Sequence, residues 1–271
     1  MAPVSRVSHI SRNPYARLSH APAGALAIFA RSPVPGKAKT RLIPLLGERG
    51  AAEFQAALTS DALRKIRPLE NRMAVVFMTT GHRFPHAASM GSAVSAVPAT
   101  GGPSGNRPAF RVEPQRGRDL GQRLQHAFRK LLLEHSRVVA IGTDSPELSV
   151  RILLHAFRAL LQSDAVLGPC PDGGYYLVGL RQRAGPGLAP GREPPGALFR
   201  GILWGTSAAF RDTMRNFDRH GLSCARLEPL EDIDRPEDLK GLKERMTASN
   251  ALRRRAPATW QFLRQMLGDE R

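Results

Sequence analysis

Cysteine is almost missing from this 271-residue chain: Cys170 and Cys224 are its only two. That excludes a disulfide framework and a CxxC metal clip, leaves each thiol to be read as a small buried hydrophobe, and makes a reducing cytoplasm the expected setting. Long apolar runs are missing too. The most hydrophobic stretch, from Ala21 to Ala30, falls well short of the ~20 residues that a spanning helix needs, and no signal-peptide cleavage pattern follows it. Lysine is scarce, with six among the 40 basic residues, so the formal charge of +17 is carried by arginine. Neither zinc-finger spacing nor an aromatic RNA-binding signature accompanies that charge. A dedicated nucleic-acid role is therefore disfavoured, and a small phosphate-bearing anion needs only a few well-placed cations.

Apolar runs and helical spacings then alternate. Residues 1–22 hold Arg6, Arg12 and Arg17 and no acid, and read as a disordered basic extension. LAIFA (26–30) reads as a buried parallel strand, and Gly47 to Leu69 as a helix with Phe54, Leu58, Leu63 and Ile66 on one face. MAVVFMTT (73–80), FRVEPQ (110–115), RVVAI (137–141), AVLGP (165–169) and the YYLVGL run up to Leu180 read as further strands, with LSCARLEPL (222–230) as another candidate. Helical patterns fall at Asp119 to Leu133, Leu148 to Leu161 and Ser207 to Phe217. Residues 81–108 and the Pro/Gly-rich 181–196 read as loops. The pattern predicts one α/β domain over 23–246 with a mainly parallel sheet, followed by an Arg-rich helical tail over 247–271. Ligands of such sheets bind at the carboxyl ends of the strands, and there the polar motifs fall.

Four motifs carry candidate chemistry. The loop after the first strand sets Gly36 among Arg31, Lys37, Lys39, Thr40 and Arg41: glycine admits a phosphate to backbone amides, and the cations neutralise it. It is not a P-loop, because Arg31 stands where the first glycine is required and Ala38 follows Lys37. Asp144, in GTDSP, ends an apolar strand and either binds Mg²⁺ or Mn²⁺ or caps the next helix. In DGGYY, Asp172, Gly173, Gly174 and Tyr175 form either a ligand-admitting turn or an ordinary Asp-Gly turn beside core aromatics. Asp234, in EDIDRPEDL, is a second metal ligand, an N-cap before Pro236, or both.

Taken in order, FARSPVPGKAKTRL, QRGRDLGQRL, IGTDSPEL, GPCPDGGYYLVGL and EDIDRPEDL resemble the bacterial glycosyltransferase-A-like family known as domain of unknown function 2064. Some of its members are labelled arsenosugar-biosynthesis glycosyltransferases. More distantly the arrangement is similar to phospholactate guanylyltransferases and molybdenum-cofactor nucleotidyltransferases. The resemblance runs from Ala25 to Lys243 and implies a Rossmann-like, three-layer αβα glycosyltransferase-A fold, a divalent metal and a nucleotide-diphosphate substrate. By position it makes Asp144 and Asp234 the metal ligands and the loop from Arg31 to Arg41 the nucleotide-binding signature. Arg235 replaces the usual threonine, and the loop after Leu180 looks longer than usual.

The activity so implied is transfer of a sugar from a nucleotide-diphosphate donor to a small-molecule or lipid-linked acceptor that the residues do not identify. Asp172 is the candidate base for the acceptor hydroxyl, with Asp119 of GRDLG in reserve; Tyr175, Tyr176 and Trp204 are candidate pocket walls. Two alternatives stay open. Nucleotidyl transfer would use the same metal and loop with a nucleoside triphosphate and release pyrophosphate; a non-catalytic polyanion-binding protein would use the surface arginines alone. Oligomeric state is not legible.

Overall fold

The computed structural model describes residues 24–66, 68–69, 73–79, 110–182 and 197–268. The expectations for residues 1–22, for 81–108 and for most of the loop over 181–196 lie outside these residues. Seven strands form one sheet: β1 (Gly24–Ala30), β2 (Met73–Met78), β3 (Phe110–Pro114), β4 (Arg137–Ile141), β5 (Ala165–Pro169), β6 (Tyr175–Arg181) and β7 (Cys224–Arg226). Their order is β3-β2-β1-β4-β6-β5-β7. Every neighbouring pair is parallel except those made by β6, which runs antiparallel to both β4 and β5. The five inner strands are buried on both faces, as helix-covered parallel sheets require, while the edge strands β3 and β7 are partly exposed, and the side-chain alternation sorts the inner ones. Leu26, Ile28, Val76, Val139 and Val166 pack on one face with Ile152, Leu153 and Phe157. Ala25, Ala27, Val75, Phe77, Val138 and Val178 pack on the other with Leu124, Phe128 and Phe217.

The covering helices are α1 (Ile43–Arg64), α2 (Leu120–Leu131), α3 (Val150–Ala159), α4 (Ala209–Arg219), α5 (Pro236–Ala248), α6 (Asn250–Arg255) and α7 (Pro257–Leu267). Phe54, Leu58, Leu63 and Ile66 are all buried, as their spacing predicts. The helix begins earlier than Gly47, which is its one non-helical residue (φ 69°, ψ 168°). A glycine holds this kink because a Cβ disfavours positive φ. The C-terminal segment folds back on the domain: Leu252, Ala256, Phe262 and Leu263 pack with Phe54 and Leu58 of α1 and Leu239 and Leu242 of α5. At this junction the fully buried Asp61 accepts the amides of Ala258 (3.0 Å) and Thr259 (2.8 Å), satisfying donors at the start of α7. Among the described residues no helix is long and apolar enough to cross a membrane.

Candidate active site

The carboxyl ends of β1 and β4, with the turns before β6 and α5, surround a cavity of about 530 Å³. At its floor is Lys39, which is buried and is the one described non-glycine residue with positive φ (45°). Its Nζ donates to the Ile233 carbonyl at 2.7 Å, lies 2.7 Å from Asp144 Oδ1, and lies 2.9 Å from Asp234 Oδ1. Two aspartates 90 positions apart in sequence therefore meet on one ammonium. Burial alone would lower the Lys39 pKa, yet the two aspartates raise it, so the lysine stays charged. Burial likewise pushes Asp234 upward, and Lys39 with Arg41 and Arg31 outweighs it, holding that carboxyl below its ordinary value.

The loops bearing the two aspartates are tied together independently of Lys39. The Ile233 amide donates to the Asp144 carbonyl at 3.0 Å, and the Ser145 hydroxyl donates to Asp232. Burial, aided by the Asp144 charge and opposed by Ser145, lifts Asp232 to about 6. From beneath, Gln55 of α1 donates to Thr143 Oγ1 at 3.0 Å. Asp238 accepts the amides of Asp234 (3.0 Å) and Arg235 (2.8 Å), closing the turn before α5. Neither aspartate is a helix cap: Ser149 caps α3, and Arg235 holds the cap position of α5. Both remain partly open to the cavity.

The other expected residues divide. Arg31, Thr40 and Arg41 are exposed and line the cavity, with Arg41 Nη1 3.7 Å from Asp234 Oδ2. Gly36 (φ 74°) and Lys37 belong to the same loop but not to the lining. Asp172, Gly174 and Tyr175 line it from the opposite side, where Asp172 Oδ1 accepts the Gly174 amide at 2.9 Å. Gly173 has φ 88°, and a Cβ there would come within 2.2 Å of the Ser207 carbonyl oxygen, so only glycine fits this turn. Tyr175 meets Trp204 edge-on, with ring centroids 6.1 Å apart, and burial raises its hydroxyl pKa. Asp119 accepts the Gln122 amide at 2.8 Å as the N-cap of α2 and is outside the lining.

Several lining residues were assigned no role from the sequence. Gln115 donates to the carbonyls of Ala30 (3.0 Å) and Phe77 (2.9 Å), clamping the ends of β1 and β2, and Arg123 stands beside it. Asp232 sat within a quoted motif without a role, and Gln55 lay hidden in an apolar helix. Only an unexpected polar residue at a core spacing could have pointed to Gln55.

A doubly wound sheet with its polar cleft at the strand ends is the general architecture of nucleotide-binding α/β folds, of which the nucleotide-diphospho-sugar-transferase fold is one. The chain belongs to the family described as "uncharacterized protein conserved in bacteria" (DUF2064), whose model matches residues 70–206. Its structure is similar to one from Desulfovibrio desulfuricans G20 described as a "putative nucleotide-diphospho-sugar transferase", at 28% identity over 89% of this chain and 94% of that one, with a TM-score of 0.71. It also resembles 4-diphosphocytidyl-2C-methyl-D-erythritol synthase of Anaerococcus prevotii DSM 20548, at 9% identity over 83% and 99% of the two chains (TM-score 0.49). A third likeness is to Rv0371c of Mycobacterium tuberculosis H37Rv in complex with manganese, at 13% identity over 83% and 99% (TM-score 0.43). No curated protein matches the sequence.

Proposed function

We propose that the protein transfers a sugar from a nucleotide-diphosphate donor, with a divalent cation, to an acceptor hydroxyl. The observation that carries this reading is the convergence of Asp144 and Asp234 on one cation, the Lys39 ammonium, at the floor of a cavity bordered by Arg31 and Arg41. That ammonium stands in for a metal and tests the donor set. Two carboxylates reach one cation and keep surface toward the cavity, 41% and 44% of each side chain. No group of three or more His, Cys, Asp or Glu is arranged for a metal among the described residues. The pair therefore fits Mg²⁺ or Mn²⁺, which take one or two carboxylates and complete their shell with phosphate oxygens and water, and not a self-sufficient protein cage. When bound, such an ion neutralises charge on the departing nucleotide.

The chain's own residues do the rest. Arg31 and Arg41 hold phosphate oxygens, and the guanidinium fork allows two parallel hydrogen bonds to each. Gln115 keeps the ends of β1 and β2 at fixed spacing. Across the cavity Tyr175 and Trp204 give an apolar wall for a sugar face. Asp172, fixed by its bond to the Gly174 amide, takes the proton from the acceptor hydroxyl. The similarity to the Desulfovibrio protein supports the donor class.

One observation favours a second reading, nucleotidyl transfer. Arg41 also lines a smaller open cavity of about 410 Å³ with Arg235, Pro236 and Glu237, where two guanidiniums against one carboxylate give a phosphate-bearing nucleophile a net cationic approach. Product analysis separates the two. Incubation with Mn²⁺ and a panel of nucleotide-sugars should release nucleoside diphosphate and free or transferred sugar. Pyrophosphate release from a nucleoside triphosphate, with every nucleotide-sugar left intact, would replace sugar transfer by nucleotidyl transfer.

A further inference from the structure

The Lys39 ammonium lies where the proposed reading needs a divalent cation, and all three of its N–H donors are engaged. They point to the Ile233 carbonyl at 2.7 Å, Asp144 Oδ1 at 2.7 Å and Asp234 Oδ1 at 2.9 Å. The lysine side chain is 4% exposed, whereas the two carboxylates are about ten times more accessible. The carboxylates are therefore gripped from the protein side and open on the cavity side. Such an ammonium cannot move into water without giving up all three of these contacts.

Charge counting gives the consequence. Asp144 and Asp234 bring two negative charges and the neighbouring Asp232 a third, against which Lys39 and Arg31 set two positive ones. Arg41, 3.7 Å from Asp234 Oδ2, erodes the remainder. A divalent ion placed on the same carboxylates without a further anion would leave a net positive cluster in a partly desolvated place, where like charges repel strongly. A nucleoside diphosphate supplies the negative charge that is short. We propose that Lys39 makes cation loading depend on the nucleotide: free Mg²⁺ or Mn²⁺ binds the two aspartates weakly, and the site takes up the ion together with the diphosphate. This rests on the reading of Asp144 and Asp234 as the metal carboxylates. By reciprocity, the nucleotide strengthens the ion's binding by the same factor as the ion strengthens the nucleotide's.

The test is Mn²⁺ affinity of the nucleotide-free protein, read from the electron paramagnetic resonance signal of the unbound ion. Wild type is expected to bind weakly. Lys39→Met and Lys39→Gln are expected to bind at least about tenfold more tightly, and adding Asp144→Asn to Lys39→Met should abolish the gain. The proposal is overturned if both lysine variants, folded by circular dichroism, bind no more tightly than wild type. Should neither variant fold, wild type decides. At matched free Mn²⁺, with UDP, CDP and GDP tried in turn, one of them should tighten Mn²⁺ binding at least about tenfold; equal affinity with and without each would overturn the idea. Metal-dependent stabilisation of wild type by a nucleotide, beside lysine variants that gain no affinity, would leave the functional reading standing and remove only the role of Lys39.

Discussion

Replacing Asp172 with Asn separates chemistry from folding, because the turn that Asp172 makes with the Gly174 amide needs only an oxygen acceptor, which Asn retains. With Asp172 as the base, Asp172→Asn should lower kcat by about 10²–10⁴-fold and leave KM and Tm close to wild type, as steady-state kinetics and a thermal melt would show. Asp119→Ala should do the reverse. It removes the α2 N-cap at a stability cost of about 1 kcal/mol and spares kcat, since Asp119 is outside the cavity lining. A fall in kcat for Asp119→Ala as large as that for Asp172→Asn would move the base to Asp119. Lys39 shows why some of the site escapes a sequence reading. In a loop with Arg31, Lys37 and Arg41 it reads as one more phosphate-facing cation. Its partners lie 105 and 195 positions later, and only the folded sheet reveals that its charge is directed inward.

The elements were largely visible before the structure, for a physical reason. Strands buried on both faces are apolar along nearly their whole length, so 26–30, 138–141 and 165–169 stand out as continuous runs. Direction is not encoded in such runs, which is why the reversal of β6 could not be read from YYLVGL. The docking of α7 was hidden as well, because besides apolar packing its start is held by Asp61, an acid on the buried face of α1. Asp61→Ala would leave the Ala258 and Thr259 amides without this acceptor and should cost on the order of 1–3 kcal/mol in a denaturant titration. Lys65, one turn later, adds a pH dependence. Burial lowers its pKa from 10.5 to about 8, against the opposing pull of Asp61. Between those values the unfolded chain holds a proton that the folded one has released, so stability rises with pH across the window, by on the order of 3 kcal/mol over its full width. Lys65→Met should flatten the slope of melting temperature between pH 8 and 10.

Across the whole molecule, a parallel sheet brings residues remote in sequence to one end. The loop after β1, the turn after β4, the turn before β6 and the turn before α5 all open there, and each carries one of the polar motifs. The order and spacing of those motifs made the cleft legible, whereas the ties between Ser145 and Asp232 and between Gln55 and Thr143 follow only from packing. The formal charge of +17 is spread along the sequence and belongs to no one motif. With the cleft as the functional site, duplex DNA followed by fluorescence anisotropy should show at most weak binding that is lost between 50 and 200 mM salt; tight binding at 200 mM salt that survives Asp144→Asn would favour a polyanion-binding role instead. The central claim, a cation-dependent nucleotide site on Asp144 and Asp234, is tested most directly by a thermal-shift screen of nucleotides and nucleotide-sugars with and without Mn²⁺. At a ligand concentration about 100 times Kd, at least one compound should raise the wild-type Tm by roughly 5–10 °C only when Mn²⁺ is present, and Asp144→Asn should abolish the shift. A screen with no Mn²⁺-dependent stabilisation, or a shift that survives Asp144→Asn in full, would contradict it.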